Sequence, residues 1–181
     1  MRRWSETAEL VAATSRTSEK VRILAAYLRS LTPAELPLAV TFLSGRPFPE
    51  RDSRVLGMGW AAIAATAEAE ADAPTGALGR YYDRSSDLGQ AVHDLLAASG
   101  RRHAGELPTL TDVGDAFAAI AAARGASAKS AIFAGLLWRC DRLTAKYVVK
   151  VMAGELRIGL CKTQDAGMDN NFIVRREGVD L

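Results

Sequence analysis

Residues 17–45 read TSEKVRILAAYLRSLTPAELPLAVTFLSG, and this stretch decides the fold. Val21, Leu24, Leu28 and Leu31 recur at spacings of three and four, which lays one apolar stripe along a helix and none along a strand. Thr17 is placed to cap that helix, with Ser18, Glu19 and Lys20 in its first turn. Thr32-Pro33-Ala34-Glu35 follows at once: threonine at the cap, proline at the first helical position and glutamate three residues on make a capping box. The second helix then carries Leu36, Ala39, Val40 and Leu43. It stops at Ser44-Gly45, beyond which Pro47 and Pro49 prevent continuation.

The same grammar extends in both directions. Residues 46–54 read as an exposed basic loop, and Gly57-Met58-Gly59-Trp60 opens an Ala-rich helix over residues 61–71. Pro74 and Gly76 mark a break. Ser85 or Ser86 then caps a helix with Leu88, Val92, Leu95 and Leu96, ended by Gly100. After a basic loop over 101–108, Thr111-Asp112 starts a helix with Val113, Phe117 and Ile120 on one face, closed at Arg124-Gly125. Residues 127–139 and 142–152 form the last two helices, the pair ending at Gly154. No segment alternates β-branched residues with period two, so a sheet is not expected. Nor does any fixed 34- or 40-residue spacing suggest a solenoid. The predicted fold is all-α: a single compact multi-helix domain of roughly eight to ten short helices over residues 1–160. Residues 161–181, rich in Asp, Asn and Gly, are expected to be an irregular C-terminal tail. Leu24, Leu28, Leu43, Phe117, Leu136, Leu137 and Val148 are the expected core; Trp60 and Trp138 read as core or as loop supports, with core preferred. Glu68 and Glu70, two apart on a helix, read as a solvated face.

Composition agrees with one domain. The 181 residues are 49% hydrophobic, 24% charged and 7% aromatic, enough apolar material for a core and too much for general disorder. The longest apolar run, residues 61–67, is far too short to cross a bilayer. Met1-Arg2-Arg3-Trp4-Ser5-Glu6 does not resemble a secretory signal, so a cytoplasmic location is expected. The net charge of +2 excludes a strongly acidic protein and does not establish a nucleic-acid partner.

The search for catalytic chemistry returns little. Cys140 and Cys161 lack a CxxC spacing and stand far from His93 and His103, whereas zinc needs about four ligands. A buried thiol at Cys140 and surface imidazoles are expected instead. There is no GxxxxGK[ST] loop and no HExxH, and Gly57-Met58-Gly59 has neither the third glycine nor the preceding strand of a dinucleotide site. A different device recurs, in which a helix boundary combines glycine, a small hydroxyl residue and one basic side chain. Ser44-Gly45-Arg46 leaves one helix, Gly125-Ala126-Ser127-Ala128-Lys129 enters another, and Gly154-Glu155-Leu156-Arg157-Ile158-Gly159 leaves the last. Such corners offer free backbone N–H groups to phosphate oxygens and let a bulky polyanion approach the main chain. The plain alternative is ordinary caps and turns on a helical protein–protein interaction module.

At these corners the chain resembles the N-terminal DNA-binding domain of ATP-dependent DNA ligases. Thr17-Ser18-Glu19-Lys20-Val21-Arg22-Ile23-Leu24 is similar to the opening helix of that family. Phe42-Leu43-Ser44-Gly45 and Gly57-Met58-Gly59-Trp60 resemble its FLxG and GxGW-type junctions. Ser86-Asp87-Leu88-Gly89-Gln90-Ala91 resembles its GDLGxVA turn, with Ser86 in place of the usual glycine. Residues 125–129 resemble its Gly-x-Ser–Lys loop, and residues 154–159 its GxLRxG signature. The resemblance implies an all-helical domain that grips nicked duplex DNA through sugar–phosphate contacts, in repair, replication or recombination. It implies DNA contact by Arg157, Gly154, Gly159, Lys129, Ser127 and Gly125, while Arg46 and Gly45 complete the set as the third corner. It implies a monomer, no membrane, and a catalytic ligase domain in cis. No cofactor is expected in this chain, since ATP and Mg²⁺ belong to that catalytic domain. The adenylation lysine of a KxDG motif is missing: Lys162-Thr163-Gln164-Asp165-Ala166-Gly167 has the wrong spacing. The resemblance ends near Leu160. The expectation is therefore a fragment, a truncated product or a stand-alone DNA-binding domain without catalysis of its own.

Overall fold

The computed structural model describes residues 1–101, 103 and 105–160; the expectations for 161–181, Cys161 and Lys162 among them, lie outside the described residues. Nine helices and no strand occur among the described residues: α1 (Arg2–Ala13), α2 (Thr17–Arg29), α3 (Leu36–Leu43), α4 (Trp60–Glu70), α5 (Ala77–Ser85), α6 (Leu88–Ala98), α7 (Leu110–Ala122), α8 (Ala126–Arg139) and α9 (Arg142–Ala153). The all-α reading holds.

The centre is α9, whose residues Thr144 to Val151 are all buried. Helix α6 packs most extensively against it, and the reason is Gly89: a Cβ there would lie 2.5 Å from the Lys146 carbonyl oxygen. On the other side α1 presents Trp4, whose indole N–H donates to Ala39 O at 3.1 Å. The Trp4 ring stands edge-on to Phe42 and Tyr147, and Phe42 continues to Phe117, an arrangement suited to the aromatic quadrupole. Leu24, Phe117, Leu136, Leu137 and Val148 are buried as expected, while Leu28 and Leu43 are half-buried against the core. Cys140 is buried, and burial pushes its thiol up to about 12. Of the imidazoles, His103 is exposed and His93 is half-buried, 2.8 Å from Asp94.

Two helices were not predicted, α1 and α5. In α1 the buried face includes Ser5 and Thr7, whose hydroxyls bond back to Met1 O and Arg3 O and so bury without an apolar signature. Helix α5 buries only Ala77 and Leu78, and its first turn is capped from outside: the Glu68 carboxylate accepts the Leu78 N–H at 2.9 Å. Glu68 is thus 6% exposed, not solvated, and Glu70 lies 3.6 Å from Arg101. Both glutamates face neighbouring elements because α4 packs against α5 as well as α8.

The caps also move. Asp87, not Ser85 or Ser86, caps α6 by accepting the Gln90 N–H, while Ser86 ends α5 in the left-handed region at φ 49°. Thr109 and Asp112 form the capping box of α7. Arg16 takes the cap position of α2, with Thr17 its first residue. Thr32 and Glu35 do exchange their capping-box bonds, but these close a turn, and α3 begins at Leu36. The two tryptophans are corrections: Trp60 is 42% and Trp138 50% exposed. Each keeps one face covered, Trp60 by Tyr82 and Trp138 by the Arg101 guanidinium. Among the described residues no helix is long and apolar enough to cross a membrane.

Candidate nucleic-acid interface

The last corner presents the most exposed basic side chain of the three, Arg157. Helix α9 ends at Gly154, φ 71°, where Glu155 N donates to Lys150 O. Leu156 and Ile158 then turn inward, each about 5% exposed or less, and Arg157 between them turns out with 61% of its side chain in solvent. Arg157 itself holds φ 46°, a conformation that a non-glycine residue keeps only when its neighbours fix it. Glu155 lies 3.5 Å from its guanidinium; an exposed pair of this kind is worth under about 1 kcal/mol and yields readily to a phosphate.

The first corner packs directly on the last. Ser44 donates its hydroxyl to Thr41 O, and Gly45 turns at φ 75° and is buried. A Cβ at Gly45 would lie 3.3 Å from Leu156 Cβ, and one at Gly154 would face Gly45 O at 3.9 Å. Arg46 leaves this junction half-exposed and pairs with Glu50 at 3.0 Å.

From Arg46 the chain runs without helix to Gly59. It is not wholly exposed as expected, because Phe48 and Leu56 are buried and anchor it. Arg54 lies over the Phe48 ring at 4.4 Å and bonds Asp52, which its hydrogen bonds hold below the usual carboxylate range. An open depression of 540 Å³ separates this segment from the end of α9, lined by Arg46, Phe48, Arg54, Val55, Met58 and Met152.

The far end of the segment meets the remaining corner. Lys129, in the first turn of α8, donates to Leu56 O at 2.7 Å, and a Cβ at Gly57 would lie 2.7 Å from the same ammonium. Gly125 caps α8 at φ 86° with no side-chain bond, so Ser127 is not the cap; it is exposed in the first turn, two residues before Lys129. One segment, residues 45–59, therefore ties all three corners: Gly45 to Leu156 at one end, Leu56 to Lys129 at the other. Gly125 and Ser127 join the group only through Lys129.

Lys20, which the resemblance includes as the lysine of Ser18-Glu19-Lys20 in the opening helix, was not among the expected site residues. Its ammonium donates to Ile158 O at 2.7 Å and Gly159 O at 3.1 Å, from the buried face of α2. The signal was present: Lys20, Leu24 and Tyr27 share the helical stripe, so a charge stood where an apolar residue was due. Chemically the assembly offers guanidinium groups, ammonium groups and turn amides. Among the described residues no group of three or more His, Cys, Asp or Glu could hold a metal ion.

Comparison with known proteins points the same way. Residues 1–163 match the family model described as DNA ligase N terminus. A probable DNA ligase of Koribacter versatilis is 40% identical over 162 residues, covering 88% of this chain and 27% of its own length. A probable DNA ligase of Opitutus terrae is 32% identical, covering 87% of this chain and 19% of its own. A DNA ligase of Methanocella arvoryzae is 31% identical, covering 79% and 26%. The chain spans about a quarter of the length of these relatives or less. With nine helices among the described residues and residues 1–163 matched, the chain belongs to the DNA ligase N-terminal domain family.

Proposed function

We propose that this domain binds nicked duplex DNA without regard to sequence, through sugar–phosphate contacts, as the DNA-binding domain of an ATP-dependent DNA ligase in repair, replication or recombination. The observation that carries the reading is the single segment, 45–59, joining the glycine corners, with Arg157 exposed and Arg46 half-exposed beside them. Gly125 and Gly159, both exposed, let the polyanion approach the main chain, while Gly45 and Gly154 shape the turns with their own N–H groups already bonded to Phe42 O and Val151 O; Ser127 offers a hydroxyl at the start of α8, and Lys129 adds charge behind the loop. Contacts of this class position a protein on DNA and carry no base preference, which is what sealing a break at any sequence requires. The domain works as a monomer in the cytoplasm beside a catalytic ligase domain in cis. ATP and Mg²⁺ are taken by that partner domain, and no residue of this chain is assigned to them.

Two nicked duplexes of unrelated sequence, titrated at about 50 mM salt, test this directly. Equal affinities are expected. No binding to either duplex would replace the proposal with a helical protein–protein interaction module, and a strong preference for one would remove its sequence independence.

A further inference from the structure

Three lysines are buried among the described residues: Lys20, Lys146 and Lys150. Two of them end on carboxylates, Lys146 on Glu9 at 2.7 Å and Lys150 on Asp87. That is the usual requirement for a buried cation. Lys20 differs. Its two acceptors are the main-chain oxygens of Ile158 and Gly159, and no carboxylate of the described residues pairs with it.

Those oxygens belong to the residues that follow Arg157. Leu156 and Ile158 pin the loop by burial on either side, but apolar contacts do not fix the rotation of a peptide plane, whereas a charge-assisted bond to its oxygen does. Gly159 completes the fit: at φ 69° it already favours glycine, and a Cβ there would collide with the Lys20 ammonium. The same pairing recurs where Lys129 donates to Leu56 O and Gly57 leaves room for its ammonium. Two loops of the interface are thus each held from behind by a lysine that a glycine admits.

We propose that Lys20 is a positioning residue for DNA binding: by holding the Ile158 and Gly159 carbonyls it fixes the left-handed turn that aims Arg157 outward. The inference rests on the DNA-binding reading above. Lysine 20 acts through Arg157, so the two substitutions are coupled.

The test uses the full chain with Lys20→Met, Arg157→Ala and the double variant. Amide exchange in residues 156–160 should rise at least about tenfold in Lys20→Met while α9 stays protected, because only the loop opens. Nicked-duplex affinity should fall about tenfold, the scale of one charge-assisted bond. In the Arg157→Ala background the same change should cost less than about twofold, since the contact it positions is already gone. Unaltered loop exchange, or an undiminished affinity loss without Arg157, overturns the proposal. Should Lys20→Met fail to fold, Gly159→Ala displaces the ammonium instead; it should loosen the same amides, and protected amides there overturn the proposal equally. A wild-type chain that binds no duplex overturns the DNA-binding reading itself, while the exchange measurement still reports whether Lys20 holds the loop.

Discussion

Arg157 concentrates what the interface needs in one side chain. It is exposed, carries a guanidinium suited to forked phosphate contacts, and stands between two buried neighbours that pin its loop to the core. Arg157→Ala should therefore weaken binding to unrelated duplexes alike and lower the log–log salt slope by about 0.9, with stability changed by less than about 0.5 kcal/mol. Parallel salt titrations and thermal melts check this, and a loss confined to one sequence contradicts it. Ser86 shows the opposite balance of strain and use. It holds φ 49° without serving the interface, at a position where glycine would relax the backbone. Ser86→Gly should stabilise the fold by about 0.5–1 kcal/mol, the left-handed cost less the added chain entropy of glycine. A lowered denaturation midpoint would show that the turn is not strained.

Among the elements, the seam of α6, α9 and α1 decides stability. Asp87 both caps α6 and pairs with Lys150, so two substitutions separate its roles. Asp87→Ala removes cap and ion pair and should cost about 3–5 kcal/mol, because Lys150 is left buried and uncompensated. Asp87→Asn retains an acceptor for the cap and should be milder by about 1 kcal/mol. Chemical denaturation of both variants measures the difference; equal losses would mean the cap contributes nothing. The same seam makes the fold acid-sensitive. Burial alone would raise the Asp87 and Glu9 carboxyls, but the hydrogen bonds from Lys150 and Gln90, and from Lys146 and Tyr147, outweigh it and hold both below their ordinary values of 3.8 and 4.5. A carboxyl depressed in the folded state stabilises fully above its unfolded value and loses that contribution as pH falls through the folded one. Stability should therefore decline below about pH 5, and less steeply in Glu9→Gln. A Glu9→Gln profile parallel to wild type would remove Glu9 from the account. This seam also explains a motif: in residues 86–91 Ser86 turns, Asp87 caps and Gly89 admits α9, so the resemblance there marks packing and not DNA contact.

Across the molecule, what could be read from sequence was local. Helices α2, α8 and α9 announce themselves because stripe and stop lie within a few residues of one another. Helix α5 does not, since its first turn is capped by Glu68 ten residues earlier, and α1 hides its inward face behind back-bonded hydroxyls. The corners were legible from their glycines, but not their assembly, which depends on contacts such as Lys129 to Leu56 and Lys20 to Ile158, 73 and 138 residues apart. Those contacts tie three separate turns to one segment that carries Arg46 and Arg54, and the central claim is that this assembly meets the phosphate backbone. The most direct test is the affinity of the wild-type chain for nicked duplex measured from about 50 to 200 mM salt. The account predicts a linear fall of log affinity with log salt, about 0.9 per phosphate neutralised, with at least two phosphates lost from the slope when Arg157 and Arg46 are both replaced by alanine. Affinity that ignores salt, or a slope the double replacement leaves unchanged, would contradict it.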